Sequence, residues 1–359
     1  MSLPQDAWSQ NESRHWRTNP NVNRDRYSRD HGQRGRGRGR GCRRGQERGD
    51  EPTTESSRRM KMENIASVSR SSGLERDGDA LKDFKVQEEY RVFIQEKLDD
   101  LRTQFPSGKP TNSFGRQRRV ELQENILILF RKLREGIISS QRYDHFSLEV
   151  YETSLYLSCI FHSPTQTTSI IGHLLPDLYD KIPAPHRNLV PSILISLLHE
   201  LVGGYPSNAG FQRTLKAIGR LDQSSEAYRW ITDLSASLRT RNYTRFETLT
   251  RYEAFVQLLS DEGTQMNLKS QAVISLINTL RTKTRETTWS ILRSAYRELS
   301  CHEESGTRPW LVRSLALGNI DAEQSDKGLD EWLEEKSGLG DAHRKEGVQH
   351  RWVLVRVRR

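Results

Sequence analysis

The chain has 359 residues, a net charge of +9 and only three cysteines, Cys42, Cys159 and Cys301. Their wide separation excludes a disulfide framework and shows no paired metal-ligand spacing, which fits a reducing compartment. The N-terminus is polar and arginine-rich, unlike a secretory signal, and the longest run rich in apolar residues, Ile193 to Leu198, is far too short to span a bilayer. A soluble intracellular protein with no membrane partner is expected.

The charge sits at the two ends. Residues 1–60 hold fourteen Arg and no Lys against eight acids, and residues 343–359 hold six basic residues against one acid. This distribution points to a polyanion partner, most simply nucleic acid. Residues 1–78 are poor in aliphatic side chains and are expected to be a disordered basic tail, unable to bury enough apolar surface to offset chain entropy. Within it Arg34, Arg36, Arg38 and Arg40 alternate with glycine, and Arg43 and Arg44 continue the tract. Each guanidinium can fork onto phosphate or stack on an exposed base, so these six arginines are RNA-binding candidates. Trp16 and Tyr27, set among Arg14, Arg17, Arg24 and Arg26, add stacking surfaces. The competing reading is a solvated tail without a dedicated ligand. Methylation of its arginines would keep the charge and block bidentate bonds.

Residues 79–119 read as a helix and a basic linker. Asp79 is the expected cap, and Leu81, Phe84, Ile94, Leu98 and Leu101 form a stripe that predicts docking on the body. The helix should stop at Phe105-Pro106-Ser107-Gly108, leaving Arg116, Arg118 and Arg119 on the linker. Three helices follow between Glu121 and Ile182. In the first, Leu122, Ile126, Leu129, Leu133 and Ile137 recur at helical spacing. The second has two apolar flanks, Leu148, Tyr151, Leu155 and Cys159 on one and Val150, Leu157 and Phe161 on the other, which predicts a helix enclosed by neighbours. The third should run from about Thr168 to Tyr179. Further helices are expected at 192–202 with Gly203-Gly204 as C-cap, at 210–218, at 225–239 and at 246–259. Helices joined by short connections over residues 120–264 suggest a helical solenoid.

Residues 265–359 change character. Two helices, 268–282 and 286–299, precede a possible strand at 310–317, a short helix at 329–336 and a strand at 351–357 whose residues alternate between two faces. Helices followed by a small hairpin fit a winged helix. Arg344, Lys345, Arg351, Arg356 and Arg358 cluster there as further nucleic-acid candidates; the alternative is an edge strand whose charges merely discourage unwanted pairing.

The segment FSLEVYETSLYLSCIFHSPTQTTSIIGHLLPDLYDKI resembles the core of the Sac-three/GANP family, with Val150-Tyr151-Glu152 on one helix and Leu178-Tyr179 on a later one as the matching positions. The likeness covers roughly Val120 to the C-terminus. It implies a mainly α protein, a TPR-like solenoid closed by a winged helix of the PCI type. It further implies a non-enzymatic nuclear scaffold, with the cytoplasm as a second compartment. Such a scaffold binds partner subunits through the winged helix and solenoid, and RNA, in messenger RNA processing or export. Related PCI proteins are structural subunits of the proteasome lid, the COP9 signalosome and initiation factor three, where the winged helix packs on neighbouring subunits. A centrosome- or spindle-associated member is a third reading. Thr165-Gln166-Thr167-Thr168 stands where family members often carry an Asn/Gln/Cys-rich stretch, so the subfamily stays open.

Catalytic signatures are missing from the sequence. It contains no phosphate-binding loop, no Gly-x-Ser-x-Gly elbow and no His-Glu-x-x-His pair. After His199-Glu200, Gly203 stands where a second zinc ligand would be needed, and His162 and His173 near Cys159 fall at turns or on different helices. Glu303-Glu304 and Glu334-Glu335 are sequence neighbours whose side chains diverge on a helix. No enzyme activity, cofactor, metal or small-molecule substrate is expected.

Overall fold

The computed structural model describes residues 61–68, 76–106, 112–183, 186–219, 221–259, 267–302, 304–318 and 328–356. The tail arginines Arg34 to Arg44, and Arg358, lie outside them. The described body is mainly helical, and among its residues no helix is long and apolar enough to cross a membrane.

Polar side chains set where the first helices begin. Asp83 accepts from the Lys85 and Val86 amides and starts α1 (Phe84–Gln104). Asn112 accepts from the Gly115 amide and starts α2 (Ser113–Ser139), and Asp144 forms a reciprocal capping box with Ser147 at α3 (His145–Ile160). These caps correct two expectations. The cap of α1 is Asp83 rather than Asp79, because Arg76–Lys82 form a 3-10 turn. The basic linker ends at Asn112, so Arg116, Arg118 and Arg119 ride on α2.

Residues 61–68, which fall within the expected tail, are described. They sit on the body, with Met62 and Ile65 buried and Lys132 Nζ donating to the Ile65 carbonyl at 2.8 Å. Two apolar side chains one helical turn apart anchor a stretch whose averaged composition is polar.

Helix α3 is the centre of the larger core. Its side chains from Val150 to Cys159 are buried without a break, as two apolar flanks require. It packs on α2, on α4 (Pro164–His173) and on the long helix α9 (Leu268–Ala295). Helix α4 does not reach Tyr179 as expected. Leu175 leaves helical geometry at φ −120°, ψ 115°, since the following Pro176 disfavours it. A wide turn, Leu174–Leu178, and a last turn, Tyr179–Lys181, complete the segment.

Helix α5 (Leu189–Gly204) runs through both glycines expected to end it, and its cap is Tyr205. Pro191 lies in its first turn, where no intrahelical amide is lost. Then come α6 (Ala209–Ile218), α7 (Glu226–Arg239), capped by Ser225, and α8 (Tyr243–Leu249), capped by Asn242. The last is shorter than the expected 246–259 helix, because the Trp230 indole donates to the Leu249 carbonyl at 3.0 Å and takes it from a further turn. Two 3-10 turns, Tyr252–Ala254 and Val256–Leu259, follow.

Helix α9 is continuous where the sequence suggested two helices, because Lys283-Thr284-Arg285 contains neither glycine nor proline to break it. Its first half packs on α3 and α5; its second half brings Trp289 and Leu292 into a separate core. That core is completed by β1 (Glu298–Ser300), α10 (Thr307–Ser314), α11 (Leu329–Gly338), β2 (Ala342–Arg344) and β3 (Arg351–Leu354). The three strands form an antiparallel sheet in the order β1-β3-β2, with Leu299 opposite Trp352 and Ala342 opposite Leu354. The residues expected as a strand at 310–317 are mostly helix α10: Leu311 and Leu315, four apart, are both buried, and Pro309 sits in the first turn. Residues 298–299, expected at a helix end, open β1 instead. In β3 the alternation holds, with Trp352 and Leu354 buried, though the strand stops at Leu354.

Candidate nucleic-acid interface

The sheet brings three of the expected C-terminal cations together and gives each a carboxylate. Lys345 Nζ lies 2.8 and 3.0 Å from the two oxygens of Glu298 on β1, and Arg351 reaches the same carboxylate at 3.7 Å. Lys345 donating to it, with Arg351 close by, holds the Glu298 carboxyl below the usual carboxylate range. Arg344 Nε donates to Glu334 on α11 at 2.7 Å, and its guanidinium lies over the Trp352 ring at 5.2 Å. Arg356, just past β3, is exposed and has no ion pair among the described residues. The β2–β3 loop turns through Gly347, whose φ of 73° suits glycine, and borders a cavity of about 630 Å³ with Asp330, Arg344, Lys345 and Trp352.

The neighbouring helix is acidic. Helix α11 carries Asp330, Glu331, Glu334 and Glu335 against a single Lys336, whose buried side chain turns away to Glu286 at 2.8 Å. Arg308 donates to Asp330 at 2.6 Å and thereby keeps that carboxyl below its ordinary range. The surface is therefore of mixed charge, with Lys345 and Arg351 paired with Glu298 of the sheet, Arg344 tied to α11 and Arg308 joining α10 to α11. Phosphate would have to compete with the carboxylates already in place.

The same part of the chain is fastened to α9 by three further arginines. Arg281 and Arg285 donate to the carbonyls of Ala316 and Leu315 that follow α10, at 2.9 Å in each case. Arg293 bonds the Val355 carbonyl at 2.7 Å and pairs with Asp341 at 2.5 Å. Sequence reading had no way to separate these structural arginines from ligand-binding ones.

A second polar cluster lies inside the larger core. The Tyr179 hydroxyl donates to Glu152 Oε1 at 2.8 Å, Asn188 Nδ2 donates to Oε2 at 2.7 Å, and Ser192 Oγ lies 2.9 Å from the phenol oxygen. Burial lifts the Glu152 carboxyl above its ordinary range, although Asn188 and Tyr179 both favour its charged form. On α2, Arg134 is buried, lies over the Tyr151 ring of α3 at 5.8 Å and donates to Gln166 Oε1 at 3.0 Å. Burial pulls that guanidinium down to about 10. Thus Glu152 meets Tyr179, and Tyr151 meets Gln166 through Arg134, although they were read separately along the chain. A bond between residues 27 apart leaves no periodic trace in the sequence.

Burial pushes the thiols of Cys159 and Cys301 up to about 12 and about 11. His199 Nε2 contacts Thr168 Oγ1 at 2.8 Å. Among the described residues no group of three or more His, Cys, Asp or Glu is placed to hold a metal ion. Comparison with known proteins finds no matching family model and no matching curated relative.

Proposed function

We propose that the chain is a non-enzymatic nuclear scaffold of the Sac-three/GANP kind, a TPR-like solenoid closed by a winged helix, which binds partner subunits and RNA in messenger RNA processing or export. The observation that carries this reading is the order α9-β1-α10-α11-β2-β3 with the sheet order β1-β3-β2. Helix, strand, two helices and a hairpin returning beside the first strand is the order expected of a winged helix, and its place directly after packed helices supports the PCI-type reading. The bond between Glu152 and Tyr179 adds support, because it joins the two halves of the motif on which the resemblance rests.

Roles within the scaffold divide by charge. RNA contact belongs to Arg34, Arg36, Arg38, Arg40, Arg43 and Arg44. The acidic face of α11 and the ion pairs of Arg344, Lys345 and Arg351 favour a protein partner at the winged helix. Those pairs also favour the second reading, a structural PCI subunit of a lid, signalosome or initiation-factor complex, in which RNA is incidental. The test is a tagged purification from cells at moderate salt, divided into nuclease-treated and untreated halves. Messenger RNA processing or export factors recovered with RNA support the first reading. A stoichiometric particle indifferent to nuclease overturns it in favour of the second.

A further inference from the structure

The proposed function makes no use of the first turns of α2. The helix has 27 residues, yet its buried side chains begin only at Ile126. Residues 112–121 are exposed apart from the half-exposed Gly115, and packing on the core starts at Leu122, so about 14 Å of helix presents its side chains to solvent. This end carries Arg116, Arg118 and Arg119 and no acid before Glu121, whose carboxylate already accepts from Gln117 Nε2 at 3.2 Å. None of the three guanidiniums has an ion-pair partner among the described residues. Phe114, 76% exposed, is the most exposed large apolar side chain of the described body. It is one turn from Arg118 on the same side of the helix, while Arg116 and Arg119, three apart, share another side.

Stability does not account for these residues. Cations in the first turns face the positive end of the helix dipole, and a solvated phenylalanine buries nothing. We infer that this end of α2 is a docking surface for single-stranded RNA. The guanidiniums along this end of the helix fork onto phosphates, and the Phe114 ring stacks on a base. The inference rests on the reading that the chain handles RNA, and adds a site on the folded body apart from both basic termini. An acidic protein segment would pair with the cations and leave the exposed Phe114 ring without a base to stack on.

The test uses the full chain and a fluorescein-labelled twenty-nucleotide polyuridine, with anisotropy titrations between 50 and 200 mM salt. Arg116→Gln/Arg118→Gln/Arg119→Gln should weaken binding at least about tenfold and lower the slope of log K against log salt by about 2, at roughly 0.7 per single-strand phosphate contact. Phe114→Ser should lose affinity several-fold with the slope unchanged. The melting temperature of the triple variant should stay or rise, since the cations oppose the dipole. A parallel variant, Arg34→Gln/Arg36→Gln/Arg38→Gln/Arg40→Gln, separates the two claims. If only the tail variant loses affinity and slope, the α2 site is overturned and the tail's role stands. If the wild-type chain does not bind RNA, both fall. If the α2 variant keeps RNA affinity and loses binding to polyglutamate, the surface belongs to an acidic protein.

Discussion

Tyr179→Phe tests the cluster that joins the two halves of the motif. The ring, buried and edge-on to His186 at 5.1 Å, keeps its packing, and only the hydroxyl that donates to Glu152 Oε1 is removed. Asn188 still serves the other oxygen, so the loss is one hydrogen bond to a buried carboxylate, about 1.5–3 kcal/mol. For a body of this size that is a drop in melting temperature of roughly 3–6 °C. Glu152→Gln should behave differently. The amide carbonyl can accept from Asn188 and its NH₂ can donate to the Tyr179 oxygen, so both bonds persist without a buried charge. In that background Tyr179→Phe should cost only about 0.5–1.5 kcal/mol, the range for neutral partners. The four proteins, unfolded in urea at pH 7.5 and followed by circular dichroism, give a coupling of about 1–1.5 kcal/mol. Equal costs in both backgrounds would refute the argument that Tyr179 serves a charged Glu152. The pH dependence has a definite sign. Glu152 titrates above its unfolded value, so its contribution is fully present below the ordinary carboxylate pKa and declines as pH rises through the folded value. Wild type should therefore lose stability relative to Glu152→Gln on going from acid to neutral pH.

Gly136→Ala would place a Cβ 2.5 Å from the Leu81 carbonyl oxygen and 2.8 Å from Leu81 Cβ. The 3-10 turn before α1 must move, at about 1–3 kcal/mol despite the better helix former; an unchanged melting temperature would show that the turn does not pack there. Trp332 is buried edge-on to Trp289 at 4.8 Å, so Trp332→Ala should cost about 3–5 kcal/mol. Hydrogen exchange should then quicken in β1–β3 while α3 stays protected, and uniform protection would contradict a separate core. Asp330, held low by Arg308, contributes above its unfolded pKa and loses that contribution as pH falls through its lowered value. Acid titrations of wild type and Asp330→Asn, read by tryptophan fluorescence, should converge at the acid end; a constant gap would mean that the ion pair is not the cause.

What could be read from the sequence depended on whether the determining contact was local. Helix α3 was legible because its two apolar flanks are themselves the reason it is enclosed. The start of α7 was legible because Ser225 bonds an amide three residues on. The continuity of α9 was hidden by the polar run at 282–287. That run interrupts the apolar pattern, but Thr288 and Thr284 satisfy their hydroxyls on the preceding turn and stay buried. Helix α10 was misread as a strand because Trp310, Leu311 and Val312 have high strand propensity, while Leu311 and Leu315 at helical spacing decide the outcome. The C-terminal cations were legible as charges and illegible as ion pairs, since Glu298 is 47 residues from Lys345.

The continuity of α9 bears on how the two cores act together. One 28-residue helix contributes Leu276, Ile277 and Leu280 to the first core and Trp289 and Leu292 to the second. Between these sets Arg281 and Arg285 bind the carbonyls after α10, so the joint is clamped by hydrogen bonds to that turn. A flexible linker would let the C-terminal part search for partners independently of the helices. A shared helix fixes its surface relative to them. A partner that touches both would then meet a surface already in place and lose less ordering entropy on binding, which suits a scaffold better than a tethered module.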